Sequence, residues 1–277
     1  MRLPFTKMEG LGNDYVHLDG IRHRVPLEHA AELARRWSDR HFGIGADGLI
    51  VLLPGTSAPV RMAMWNADGS RGAMCGNGLR CLARFAHDAG HLRERRFRVD
   101  TDAGVRAIEL LGDGEVRVGM GEVVVQPPCR LPVGARELEL TVGDAGNPHA
   151  VCFVADVDAA DVQGIGQALQ QHAAFPDGVN VEFVTVVGPD RLRQRTFERG
   201  SGETLACGTG AAVAVAAARA AGHLASEAVH VVLRGGVLRV CGDGPALAIE
   251  GPARSVFTGE IEVPESFGTS RSPIQRA

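Results

Sequence analysis

Lysine is nearly missing from this chain of 277 residues: Lys7 stands alone, although lysine and arginine together number 29. An enzyme that uses pyridoxal phosphate needs a Schiff-base lysine. Lys7 falls in an N-terminal strand pattern with no phosphate-cradling loop beside it, so cofactor-free chemistry is expected. No GxGxxG follows a strand pattern, which argues against a nicotinamide cofactor. No run of about 18 apolar residues occurs, so no transmembrane helix is expected. The opening "MRLPFTKMEG" lacks the apolar core of a secretion signal, and a soluble, cytoplasmic protein is expected. The six cysteines (75, 81, 129, 152, 207 and 241) include no CxxC pair; free thiols are expected, with no metal site and no disulfide scaffold. Net charge is −4 with the signs interspersed. Neither a nucleic-acid nor a membrane partner is expected.

What the chain does contain, it contains twice. "MCGNGLRCLARFAHDAGHL" (74–92) lies over "ACGTGAAVAVAAARAAGHL" (206–224) without a gap. Cys75 and Cys207 are therefore counterparts. Nine residues before each stands a polar residue, Asn66 in "WNADGS" and Glu198 in "FERGSG". Further upstream "GNDYV" (12–16) faces "GNPHA" (146–150), and "GADGLIVLLPG" faces "GVNVEFVTVVGP". Matches at nearly constant offset indicate two homologous halves, 1–119 and 120–252, followed by a polar tail over 264–277. Each half shows the same order: strand, Gly-Asn turn, strand, helix, β-rich runs, a cysteine loop and a second helix. Gly-punctuated strands follow. The helix after Cys207, "AAVAVAAARAA", is apolar almost all round, which means burial on every side. The predicted fold is α/β (α+β): two pseudo-symmetric halves, each a curled, mostly antiparallel sheet around a central helix, with a cleft between them.

Each of the two cysteines precedes a helix, where its thiolate would meet the positive end of the helix dipole and its pKa would fall. The neighbouring glycines free backbone N–H groups to bind an anion. A carboxylate held by those groups presents its α-carbon to sulfur. With two halves facing each other, two sulfurs reach one carbon from opposite sides. One thiolate removes the α-proton and the opposite thiol returns one to the other face, while helix N-termini stabilise the charge that develops. Cys81, Cys129, Cys152 and Cys241 lack this setting and are read as packing residues.

The motifs "KMEGLGNDYV", "GIGADGL", "WNADGS", "MCGNGLRC", "GNPHAV", "VNVEFV" and "ERGSGETLACGTG" resemble those of diaminopimelate epimerases over essentially the whole chain. The resemblance implies interconversion of LL- and meso-diaminopimelate in lysine and peptidoglycan biosynthesis, without a cofactor. It implies Cys75 and Cys207 as acid/bases, with Gly76, Asn77, Gly208 and Thr209 around the reacting carboxylate. Asn13, Asn66, Asn147, Asn180, Glu198 and Arg199 would hold substrate, and His149 and Glu198 would tune the thiols. It also implies a homodimer, and a final strand (about 253–263) that returns to the first half. Gly48 departs from members that carry glutamine there. Two alternatives remain open. A proline or hydroxyproline racemase-like enzyme would show "MCGHG" and "SPCGTG", and a thiol redox sensor would need neither Arg199 nor the paired asparagines.

Overall fold

The structure, a computed structural model, describes residues 1–134, 136–264 and 267. Most of the tail expected over 264–277 lies outside the described residues. The first stretch runs β1 (Arg2–Gly10), β2 (Asn13–Asp19), α1 (Ala30–Ser38), β3 (Gly48–Pro54), β4 (Val60–Asn66), β5 (Arg71–Gly72), α2 (Gly76–Asp88), β6 (Arg96–Thr101), β7 (Gly104–Leu110) and β8 (Glu115–Glu122). The second runs β9 (Val124–Val125), β10 (Cys129–Val133), β11 (Arg136–Asp144), β12 (Pro148–Phe153), α3 (Val162–Gln170), β13 (Asn180–Gly188), β14 (Arg191–Glu198), β15 (Gly202–Thr204), α4 (Gly208–Ala220), β16 (Ala228–Leu233), β17 (Gly236–Cys241), β18 (Ala246–Pro252) and β19 (Arg254–Glu262).

The pairing repeats along with the sequence. β2 lies parallel to β3 and β4 parallel to β6, with β3 and β4 antiparallel. In the second half β12 is parallel to β13 and β14 to β16, with β13 and β14 antiparallel. The remaining ladders are antiparallel, as hairpins require. The two halves are sewn together reciprocally. β8 pairs with β18 along their lengths. Beyond that seam each chain crosses over: β9 pairs with β11, and β19 pairs with β1.

Each half has three layers. α1 buries Leu33, Ala34 and Trp37 against the outer sheet face in one apolar cluster, and α3 buries Val162 and Leu169 in another. The inner faces close around α2 and α4, whose apolar residues share one continuous core across the halves. Small side chains let α4 sit among strands on all sides: Ala211, Ala212, Val213, Ala214 and Val215 are completely buried. α2 differs in carrying Arg80, which is fully buried and donates from Nε to the Pro252 carbonyl at 3.2 Å. No helix among the described residues is long and apolar enough to cross a membrane.

A tight backbone contact joins the two halves at the β1–β2 turn. Leu11, in the β1–β2 turn, has φ 60°, a conformation that a branched side chain adopts only when its surroundings impose it. Its carbonyl oxygen lies 1.8 Å from where a Cβ on Gly235 would stand, and Gly235 N–H donates to the Leu205 carbonyl at 2.9 Å. Gly235→Ala should force backbone apart here and lower stability by about 1–3 kcal/mol, the usual scale of overpacking. Urea unfolding checks this; an unchanged midpoint would show that the contact yields freely.

Candidate active site

The site is built at strand ends and helix starts. Asn13 opens β2, Gly48 opens β3 and Asn66 closes β4. At the matching places of the second half, Asn147 precedes β12, Asn180 opens β13 and Glu198 closes β14. Cys75 caps α2, accepting from Gly78 N–H at 3.5 Å; Cys207 caps α4, accepting from Gly210 N–H at 3.4 Å. The two helix N-termini touch. A Cβ on Gly208 would lie 3.8 Å from Gly76 Cα and 2.9 Å from Ile249 Cδ1. A side chain at either first helical position would displace the tip of Ile249 and fill the space between the two helix starts. Asn77, 2 % exposed, ties the halves by donating to the Ala206 carbonyl at 3.0 Å and to Asn13 Oδ1 at 3.3 Å.

The surroundings of the two thiols are chemically different. Cys75 donates to Asn13 Oδ1 at 3.3 Å and is hydrogen-bonded by the hydroxyl of Tyr15, the single tyrosine of the chain. Asn13 is itself held by Asp47 Oδ2 at 2.7 Å. Behind it Arg40 bridges Asp14 and Asp47, and Lys7 pairs with Asp14 at 2.8 Å. Cys207 lies 3.4 Å from the Thr209 hydroxyl. Beside it His149 is gripped from two sides, with Nδ1 2.9 Å from Glu182 Oε1 and Nε2 3.0 Å from Asn147 Oδ1. His149 and Glu182 are both fully buried. Tyr15 and His149 occupy equivalent register positions, opposite Gly48 and Asn180. Ile50 and Glu182 are equivalent too: a Cβ on Gly78 would meet Ile50 Cδ1 at 2.5 Å, and one on Gly210 would meet Glu182 Oε1 at 2.2 Å.

Electrostatics corrects one expectation. Helix dipoles alone would lower both thiol pKa values, but burial raises that of Cys75. Burial, then the carboxylates of Glu198 and Glu182, push Cys207 well above the ordinary thiol value. Glu198 is raised in turn, by burial and by the Glu182 charge. Its hydroxyl partner is Thr204, which donates to Oε1. Both shifts favour the protonated thiol, and a positive charge brought beside either sulfur would favour its thiolate.

The remaining predicted positions lie farther out. Asn180 is 4 % exposed and donates to the Pro148 carbonyl at 3.1 Å, while its Oδ1 accepts from Arg199 N–H at 3.0 Å. The Arg199 side chain is exposed and donates to the Asp177 carbonyl at 3.0 Å. Asn66 donates to the Ser70 hydroxyl at 2.9 Å. Gly48 has no room for a side chain, since a Cβ would stand 2.2 Å from the Trp65 carbonyl oxygen. A glutamine there would need a different backbone. Among the other cysteines, Cys81 is fully buried in the shared core with its thiol pushed up to about 12 by burial, and Cys152 is buried in the second outer cluster. Tyr15, Asp47 and Glu182 did not stand out in the sequence. For Glu182 a signal existed, because a glutamate interrupts the apolar run "VNVEFVTVV".

The sequence model of one family, diaminopimelate epimerase, matches residues 5–126 and 141–256. The chain is 46 % identical to the diaminopimelate epimerase of Aromatoleum aromaticum, covering 95 % of this chain and all of that one. It is 44 % identical to that of Nitrosomonas europaea, with the same coverage. Among solved structures it resembles a phenazine biosynthesis protein of Bacillus anthracis, with a TM-score of 0.75 at 14 % identity, over 95 % of this chain and all of that one. It also resembles a hydroxyproline epimerase of Agrobacterium vitis, with a TM-score of 0.72 at 16 % identity, over 99 % and 96 % of the two chains. At such identities the structural matches speak for the fold alone.

Removing one member of the His149–Glu182 pair should strand the other in a dry interior. His149→Ala should therefore destabilise the fold by about 1–3 kcal/mol, the scale for leaving a buried hydrogen-bonding group without its partner. The double variant His149→Ala/Glu182→Ala should lose less than the sum of the singles. Urea unfolding of the three variants measures this, and strict additivity would show the pair to be uncoupled.

Proposed function

The chain belongs to the diaminopimelate epimerase family, and from that premise we propose that it interconverts LL- and meso-diaminopimelate by a two-base mechanism needing no cofactor. The observation that carries the reading is the pair of cysteine-capped helices whose glycine N-termini meet, placing one sulfur in each half beside one small anion site. The substrate α-carboxylate sits on the N–H groups of Gly76, Asn77, Gly208 and Thr209. Its α-ammonium enters a region facing Glu198 and supplies the positive charge that both raised thiols lack. One sulfur, as thiolate, then takes the α-proton, breaking the C–H bond. The electron pair spreads onto the carboxylate, where the helix N-termini hold it. The opposite thiol delivers its own proton to the other face and becomes the thiolate. Solvent exchange restores the starting state.

The distal amino-acid end of the substrate needs acceptors for its ammonium and donors for its carboxylate. Asn66, Asn180 and Arg199 are assigned to that end by their match to the family's motifs, and Arg199 offers a guanidinium fork suited to a carboxylate. Asn13 and Asn147 are assigned to substrate by the same match. His149, held by Glu182, acts on Cys207, and Tyr15 acts on Cys75. The same reading makes the protein a cytoplasmic homodimer with a small-molecule substrate and no nucleic-acid or membrane partner. Family resemblance supports the dimer, and the net charge of −4 supports the absence of nucleic acid. A racemase-like activity on proline has less support, since the 16 % identity to the hydroxyproline epimerase is far below the identity to the curated relatives.

The direct test is incubation with LL-diaminopimelate in deuterated water under reducing conditions. Meso product should form and carry α-deuterium. Cys75→Ala and Cys207→Ala should each abolish epimerisation while leaving the circular dichroism spectrum intact. Full epimerisation by either variant would end the two-base reading.

A second outcome concerns pH. Tyr15 donates a hydrogen bond that favours the Cys75 thiolate, opposing the upward pull of burial. Tyr15→Phe removes that donor, so the Cys75 pKa should rise further. The alkaline rise of kcat/KM should move to higher pH, by up to about one unit for one lost hydrogen bond. A profile that stays in place, or moves to lower pH, would remove Tyr15 from the thiol's surroundings in the working enzyme.

A further inference from the structure

The cluster around Cys207 has a second chemistry. His149, Glu182 and Cys207 each offer one donor atom, and the three atoms lie within 4.8 Å of one another. They come from β12, β13 and the cap of α4, so spacing along the chain gives no hint of them. Imidazole nitrogen, carboxylate oxygen and thiolate sulfur are donors that zinc takes at roughly 2.0–2.3 Å in a tetrahedron. Such bonds place neighbouring donors roughly 3.3–3.8 Å apart, so each side chain here needs to move by about 1 Å or less.

Two further observations point to a cation. Glu182 Oε2 is buried and has no hydrogen-bond partner, on a side chain with no solvent exposure. Among the described residues no lysine or arginine pairs with Glu182 or Glu198; the one salt-bridge partner of Glu182 is His149. A divalent metal bound to this donor set would supply the positive charge that the buried carboxylate lacks and would displace the thiol proton.

The site exists in one half only. At the positions equivalent to His149 and Glu182 the first half has Tyr15 and Ile50, and isoleucine offers no ligand atom. Cys75 therefore lacks a chelating set although it is the symmetry mate of Cys207. We propose that His149, Glu182 and Cys207 form a binding site for a borderline-soft divalent cation such as zinc or cobalt, and that occupancy blocks the cleft. Magnesium and calcium, which require oxygen ligands, should be ignored. The site is defined by the donor set and does not depend on the role given to Cys207 in epimerisation.

The test is titration of the reduced apoprotein with cobalt(II), read by the thiolate-to-metal charge-transfer band and by tetrahedral d–d absorption. One equivalent should saturate both signals. Cys207→Ser should abolish the charge-transfer band, Glu182→Gln should weaken binding at least about tenfold, and Cys75→Ser should bind as the wild type does. Circular dichroism establishes that each variant is folded. A second measurement needs no variant: one equivalent of zinc should protect one thiol of the wild type from a disulfide reagent and release it on chelation. Absent bands, a band that survives in Cys207→Ser or disappears in Cys75→Ser, unchanged binding in Glu182→Gln, or an unaltered thiol count would each overturn the proposal.

Discussion

Two helix N-termini pressed together form an electrostatic conflict, and the arrangement of the cleft answers it. Each terminus carries about half a positive charge, and glycines bring them within van der Waals contact. Like ends repel unless something negative stands between or beside them. The inner core supplies part of the force that holds them, since α2 and α4 share one apolar cluster. Asn77 supplies another part by bonding across the junction. The rest comes from anions: Glu182 beneath Gly210, Glu198 at the end of β14 and, in the proposed reaction, the substrate carboxylate itself. Catalytic power and fold strain then share one origin. The groups that would stabilise a growing negative charge are the same groups that lack one in the resting protein.

The internal repeat was legible because duplicated motifs survive as letters: Cys-Gly-x-Gly and Ala-Gly-His-Leu recur at fixed offset, and the all-apolar helix near 210–221 could only be a central one. The same alignment paired Asn13 with Asn147 and Asn66 with Glu198, whereas the contacts of Cys75 with Asn13 and of Cys207 with Thr209 come from the structure. What escaped was whatever depended on depth. The dipole argument predicted acidic thiols, but a dipole acts on a group whose burial the sequence does not report, and here desolvation wins. The charge of Arg80 gives no sign that the residue is fully buried, where it reaches across to the Pro252 carbonyl. Glu182 hid among β-branched neighbours in a strand. Its meaning depends on which strand lies alongside and on the missing Cβ of Gly210, neither of which is local information.

Duplication also explains why the two thiols are unequal. A repeated unit begins with two copies of every contact, and each copy is then free to change. Here the copies diverged at equivalent positions around the cysteine-capped helix starts: a phenol and an isoleucine in one half, an imidazole and a carboxylate in the other. The two stereoisomers of diaminopimelate are diastereomers rather than mirror images, so the two faces of the reacting carbon have no reason to meet identical partners. In the proposed reaction an uneven pair of acid/bases would suit an uneven pair of substrates, and the proposed metal site would lie on one face alone.

The reciprocal crossings, β8 into β9 and β18 into β19, have a mechanical consequence. β8 and β18 run antiparallel, so the two covalent crossings, into β9 and into β19, leave the seam at its opposite ends. A single tether would let the halves swivel, tilt and twist like a ball on a string. Two tethers define a line, and motion about a line is that of a door. In the proposed reaction, any opening of the halves would follow that one arc and return each sulfur to its own side.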